Sequence, residues 1–197
     1  ISNVVDVSNY ITLELNQPTH AYDLDTLGGG GFRIRVARDD EQLTTLDGET
    51  RSLTGADLLF CDADDRPIGI GGVMGGLDSE VEDNTEDVLL EAANFNFINI
   101  RRTAQLLKLH SEAVMRFGKR VAAELALVAA ARAAEMMAEL AGGTVHAIAG
   151  DLYPGKPDPV IIHYSPALAD RILGIEVPHE DQIRMLTALE FHVESGK

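Results

Sequence analysis

In the run Gly69-Ile-Gly-Gly-Val-Met-Gly-Gly76, five glycines fall within eight positions. Glycine in a strand or turn costs conformational entropy. Such a cluster marks backbone that takes positive φ, or that something approaches more closely than a Cβ permits. A strand so stripped can offer its peptide amides to a ligand. Two other residues carry chemistry. Glu91 lies inside Val88-Leu-Leu-Glu-Ala-Ala93, an acid on a strand that reads as mostly buried, and a buried carboxylate must meet a donor. That donor is either internal, such as Arg101 or a backbone amide, or it arrives with a ligand. His20, two residues after Pro18, reads from its local sequence as a core histidine hydrogen-bonded to Asp23.

Several chemistries are excluded by spacing. No Gly-Lys-Ser/Thr follows the glycine run, so it is not a phosphate-cradling loop. Counted from Gly69, the third glycine of a dinucleotide fingerprint falls on Met74, and the run leads into polar turn sequence instead of a helix. Cys61 is the only cysteine and the six histidines are scattered, so neither a disulfide nor a zinc spacing exists, and no metal site is expected. There is no Gly-x-Ser-x-Gly elbow. No apolar run approaches the roughly 18 residues of a membrane span. With one cysteine and no leader pattern, a cytoplasmic location is expected. The chain begins at Ile1 and stops soon after an apparent strand, which reads as a piece of a longer protein.

The 197 residues carry a net charge of −16, which argues against a nucleic-acid partner for the surface as a whole. The charge is uneven. Between Asn94 and Val121 six basic residues (Arg101, Arg102, Lys108, Arg116, Lys119 and Arg120) face one acid, Glu112. This is either the solvated basic face of a helix or a local seat for a phosphate backbone.

Around these residues, the N-terminal third reads as strands and a short helix, with an apolar-rich segment from Val4 to Leu15 and a turn at Gln17–His20. Asp47-Gly48 marks one hairpin, and Leu58–Cys61 with Pro67–Ile70 mark a second that runs into the glycines. Asn96 is placed to cap a helix over Phe97–Lys108. Val121–Ala141 is a strong helix former, stopped by Gly142-Gly143. It is apolar almost all round, so packing on more than one side is expected. Pro154, Gly155, Pro157 and Pro159 make a linker. Ser165-Pro166 then opens a helix closed by Gly174, followed by a second helix near His179–Leu189 and one strand. The expected architecture is α+β: β-hairpin-rich mixed sheets with packed helices over 1–152, a linker over 153–159, and a short truncated α/β tail over 160–197.

Seven ordered motifs carry a resemblance: Asn3-Val-Val-Asp-Val-Ser-Asn-Tyr10; Leu13 to Leu24 with Pro18-Thr-His-Ala-Tyr-Asp23; Leu43-Thr-Thr-Leu-Asp-Gly48; Gly72-Val-Met-Gly-Gly76 with Ser79-Glu-Val81; Leu90-Glu-Ala92; Ile100-Arg-Arg-Thr103; and His110-Ser-Glu-Ala113 with Arg116-Phe117. In this order they resemble the β subunit of bacterial phenylalanyl-tRNA synthetases, in its central editing module, over nearly all of residues 1–150. The tail is similar to the opening of the next β-subunit domain. After Arg116-Phe117 the family usually reads Glu-Arg-Gly-Val-Asp-Pro, whereas Gly118-Lys-Arg-Val-Ala-Ala123 stands here. The start signal of the long helix is therefore missing.

The resemblance implies hydrolysis of tyrosine misattached to phenylalanine tRNA. Glu91 would accept the tyrosine hydroxyl and the Gly72 amide would contact the same oxygen, with Gly71 beside it. Ala113 would be a small position lining the pocket, and Ser111 a hydroxyl position beside it. Asn9 and His20 would orient the ester and a water as the catalytic pair. The six basic residues would meet the acceptor end of the tRNA. It further implies a parent ligase that uses ATP and Mg²⁺, with no cofactor in this segment, and an α subunit as partner in an (αβ)2 heterotetramer, without a membrane. The competing expectation is a non-catalytic tRNA-contacting or structural module of the same subunit.

Overall fold

The computed structural model describes residues 2–147 and 150–194. The chain divides into two compact units, 1–148 and 149–197. In the first, Ser2 caps helix α1 (Asn3–Leu15) by accepting from the Val5 amide, and Asn16 ends it in the left-handed region. Val4, Val7, Ile11 and Leu15 recur at helical spacing and share one apolar cluster. The apolar-rich segment is thus a 13-residue helix, not the short one expected. The expected turn at Gln17–His20 is also shorter, because Thr19 and His20 already belong to strand β1 (Thr19–Asp23).

The remaining strands are β2 (Phe32–Val36), β3 (Gln42–Thr44), β4 (Thr50–Ser52), β5 (Leu58–Asp62), β6 (Pro67–Ile70), β7 (Met74–Gly75) and β8 (Val88–Ala92). They form a ribbon β1–β8, a sheet ordered β2-β5-β6-β7, and a hairpin β3–β4. Every strand pairing among the described residues is antiparallel, which corrects the expected mixed sheets. Short turns join most neighbours, and parallel pairing would need long crossovers. Both predicted hairpins form. Gly48 takes φ 79° in the first, and in the second Asp62 accepts from the amides of Asp64 and Arg66.

Side chains alternate across a strand, so the ribbon has two faces. Ala21, Val88 and Leu90 pack on α1 and on helix α4 (Leu125–Ala141). Tyr22 and Leu89 turn the other way, onto Phe60 and Ile68 of the four-stranded sheet. His20 and Glu91, opposite each other in the register, share that second face. Two further helices close the unit: α2 (Phe97–Leu107), capped by Asn96 as expected, and α3 (Glu112–Phe117), capped by Ser111. Helix α4 starts at Leu125, not near Val121, and Glu124 supplies no side-chain cap. No Asp, Ser or Thr stands where the first turn could use one.

Two-sided packing of α4 does not occur. Ala129 and Ala133 are sealed against α1 and the ribbon, while Leu127 and Val128 on the outer face are 68% and 54% exposed. Alanines let α1 approach closely, and one covered face holds the helix. In the second unit, Ser165 caps α5 (Pro166–Leu173), Gly174 closes it, and α6 (His179–Ala188) follows. The buried Gln182 joins them through Asp170 and Tyr164. The strand expected after the second helix is absent from the described residues, since no neighbouring strand offers a ladder there. The tail is therefore helical and not α/β, and its residues 195–197 lie outside the described residues.

Ala129→Leu should push α4 off α1 and cost about 1–3 kcal/mol. The check is the urea midpoint: an unchanged midpoint would mean that this interface has room to spare.

Candidate functional site

An open cleft of about 730 Å³ lies beside the inner face of the ribbon, large enough for an amino-acid ester with part of its carrier. Helix α1 contributes Asn9 and Thr12, β1 His20 and Tyr22, β8 Glu91, and the β3–β4 turn Leu46 and Asp47. Gly72 to Gly75 form one wall, with Ser111, Glu112 and Ala113 of α3 nearby. The cleft thus brings together Asn9, His20, Gly72, Glu91, Ser111 and Ala113.

Glu91 accepts a hydrogen bond on Oε2 from the Tyr22 hydroxyl at 2.8 Å. This is neither the Arg101 partner nor the backbone amide expected. Burial pushes its carboxyl up to about 7, against the opposing pull of the Tyr22 hydroxyl. Oε1 has no protein partner among the described residues, yet it is not sealed off. It is a free acceptor in the cleft. Tyr22 keeps its own proton, because burial and the neighbouring carboxylate hold its pKa well above the ordinary phenol value.

His20 does not bond Asp23, which instead accepts from Thr85 and the Asp25 amide. Asp23 follows His20 by an odd number of residues, so the two side chains leave opposite faces of β1. The His20 ring packs edge-on against Tyr22, with centroids 4.4 Å apart. Its Nε2 is buried without a partner, against Gly75. Desolvation lowers its pKa to about 4, so the imidazole is neutral over the physiological range.

Each glycine of the run makes room for the protein's own atoms. A Cβ on Gly72 would meet Phe95 at 2.6 Å and Ile100 at 2.7 Å, and the residue takes φ 69°. A Cβ on Gly75 would meet His20 Nε2 at 2.5 Å. Gly71 lies outside the cleft lining, pressed on Leu58 and Phe95, with its amide spent on the Leu58 carbonyl. The Gly72 amide, by contrast, donates to no acceptor among the described residues. The Ser111 hydroxyl is doubly engaged: it donates to the Val73 carbonyl and accepts from the Val114 amide, fixing α3 to the glycine wall.

None of the six basic residues lines the cleft. Arg101 and Arg120 both lie over the Phe97 ring, at 5.2 and 4.6 Å. Arg116 is paired with Glu112. Arg102, Lys108 and Lys119 are exposed and make no ion pair among the described residues. Sequence reasoning missed Tyr22 and Asp47. Tyr22 follows His20 by two residues, which places both on one strand face. Asp47 is gripped by both terminal nitrogens of Arg51 and by Thr45, which hold its carboxyl well below the usual range.

The B3/4 domain family model matches residues 1–142. Among curated proteins, the phenylalanine–tRNA ligase β subunit of Carboxydothermus hydrogenoformans is 44% identical over the whole of this chain and a quarter of its own length. The β subunit of the same ligase from Salinibacter ruber is 43% identical over the whole chain and 24% of its own length. That of Streptococcus pneumoniae is 46% identical over 92% of the chain and 22% of its own length. The chain therefore spans about a quarter of the curated relatives it matches.

Glu91 and His20 should make opposing contributions to stability. Glu91 titrates at about 7 folded against 4.5 unfolded, so its contribution is whole below pH 4.5 and is lost as pH rises to 7. His20 titrates at about 4 against 6.5, so its contribution is whole above pH 6.5 and is lost as pH falls to 4. Relative to the native chain, Glu91→Gln should therefore lose stability on acidification, and His20→Gln on alkalinisation, each by about 3 kcal/mol. Urea midpoints across this range read the slopes; parallel curves for all three proteins would refute both shifts. Gly75→Ala should displace the His20 ring and cost about 1–3 kcal/mol, visible as a histidine resonance that titrates nearer its ordinary value.

Proposed function

The chain belongs to the B3/4 domain family, and from that premise we propose that it is the editing module of a phenylalanine–tRNA ligase β subunit, which hydrolyses tyrosine misattached to phenylalanine tRNA. The observation that carries this reading is the pair of unused groups in the cleft, Glu91 Oε1 and the Gly72 amide. A phenolic hydroxyl is both donor and acceptor, and it satisfies the two at once. Phenylalanine would leave them unpaired. Sites built to bond a hydroxyl reject the analogue lacking it by roughly 10⁴ to 10⁵, whereas an apolar pocket rejects an added hydroxyl only about a hundredfold. A second, polar site therefore supplies selectivity that a synthetic pocket lacks.

Asn9 and His20 line the cleft, and the reading assigns them to the ester end. A histidine titrating near 4 is a weak base at neutral pH. Its role here is to orient a water or polarise the carbonyl, and an aminoacyl ester is reactive enough for positioning to suffice. Ala113 keeps the ring's path clear. ATP and Mg²⁺ are assigned to the whole ligase. The tRNA acceptor end would approach over Arg102, Lys108 and Lys119, whose charges are free. The α subunit of the parent would engage other parts of the β subunit.

The parent ligase and its Glu91→Ala variant should be compared on tyrosyl and phenylalanyl esters of phenylalanine tRNA. The variant should lose its preference for the tyrosyl ester by about 10- to 100-fold, the equivalent of a hydrogen bond to a charged group. Loss of both esters at the spontaneous rate with the native enzyme would replace this reading by a non-catalytic, tRNA-contacting module.

A further inference from the structure

The cleft already contains one phenol. Tyr22 is almost fully enclosed and held edge-on between His20 and Phe32. It sits opposite Leu89, so its hydroxyl reaches diagonally across the ribbon to Glu91. A Cβ on Gly69 would lie 3.3 Å from that hydroxyl, so the phenol rests on bare strand. This is the carboxylate, phenol and glycine arrangement assigned above to a bound ligand, built from the chain itself. We propose that Tyr22 is a positioning residue for specificity: by locking Oε2 it presents Oε1 as the acceptor of this carboxylate for an incoming para-hydroxyl. This role rests on the reading of Glu91 as the tyrosine acceptor.

A carboxylate offers about four acceptor positions on two oxygens, and in a roomy cleft it can swing between rotamers. One fixed oxygen removes that freedom, so the second oxygen points one way. The bound hydroxyl also stabilises the charged form that burial disfavours. An ionised carboxylate accepts a phenolic proton in a charge-assisted bond, roughly twice as strong as a neutral one. Tyr22 can give this support throughout the working range because it does not ionise there. The other titratable groups sharing the cleft are His20 on β1, Asp47 on the β3–β4 turn and Glu112 on α3. His20 titrates near 4, and Arg51 keeps Asp47 charged. Strands β6 and β7 carry no titratable side chain. The opposite face of the ribbon meets α1 and α4 through apolar residues.

Tyr22→Phe deletes one oxygen and keeps the ring in its stack. The chain and this variant are titrated with free tyrosine and free phenylalanine from about pH 5 to about pH 9, with the Glu91 carboxyl followed separately by carbon NMR. The native preference for tyrosine should rise as Glu91 ionises. In the variant, both that midpoint and the carboxyl resonance should move up by ~1 unit, with tyrosine preference at neutral pH down roughly five- to tenfold and regained at alkaline pH. A native preference matched by the variant at every pH would overturn the role of Tyr22 and leave that of Glu91 standing. A native chain with no preference at all would overturn both. Should the variant melt early, Glu91→Gln, which keeps the same shape, should show a preference independent of pH across this range. Retention of the native pH profile in that protein would also overturn the proposal.

Discussion

Glu91 hangs on the inner face of a two-stranded ribbon, and its single donor among the described residues is a hydroxyl from the opposite strand. Removing such a donor would drive the carboxyl further toward its neutral form and leave one oxygen of a poorly solvated group unpaired. The register of β1 against β8 follows from this need as much as from packing. A slip of one residue would send Glu91 into the α1–α4 interface and turn Leu90 toward the cleft. Apolar burial on one side of the ribbon and a carboxylate–phenol bond on the other therefore demand the same alignment. The cleft inherits its geometry from that agreement.

The glycine run is the other half of the construction. Its missing side chains make room first for the protein itself: Phe95 and Ile100 at Gly72, His20 at Gly75, Tyr22 at Gly69. The Gly71, Val73 and Gly76 amides of this wall are spent within the chain, and the Gly72 amide has no acceptor among the described residues. Gly72 serves both ends, since its positive φ turns the strand while its amide stays unspent. Ser111 then staples α3 to the neighbouring Val73 carbonyl, so the small side of that helix, at Ala113, comes to the rim. Backbone and side chain thus divide the labour.

Much of this was legible in the residues. Turn chemistry at Asp47-Gly48 and Asp62–Arg66 located two hairpins, and Asn96, Ser165, Gly142 and Gly174 located helix ends, because caps are local interactions. Glu91 stood out because an acid on an apolar strand needs an explanation. What escaped was set by tertiary contacts. The partner of Glu91 comes from sixty-nine residues away, and no local pattern names it. His20 was paired with Asp23 by proximity in sequence, whereas the strand puts them on opposite faces. Helix α4 looked two-sided because alanine, leucine and valine surround it, but Leu127 and Val128 stay on an exposed outer face while Ala129, Ala133 and Met137 are covered. The strand expected at the end of the chain had the right residues and no ladder to join.

The pairing of β1 with β8 has a kinetic consequence. Thr19 faces Ala92, so closing the ribbon brings together stretches separated by about half of the unit. Loop closure of that length costs entropy before any contact repays it, and such non-local pairings slow folding. Tyr22 and His20 are carried by one of these stretches and Glu91 by the other, so a chain with an open ribbon lacks the carboxylate–phenol pair. Closing the ribbon therefore completes the pair that fixes the acceptor of the cleft.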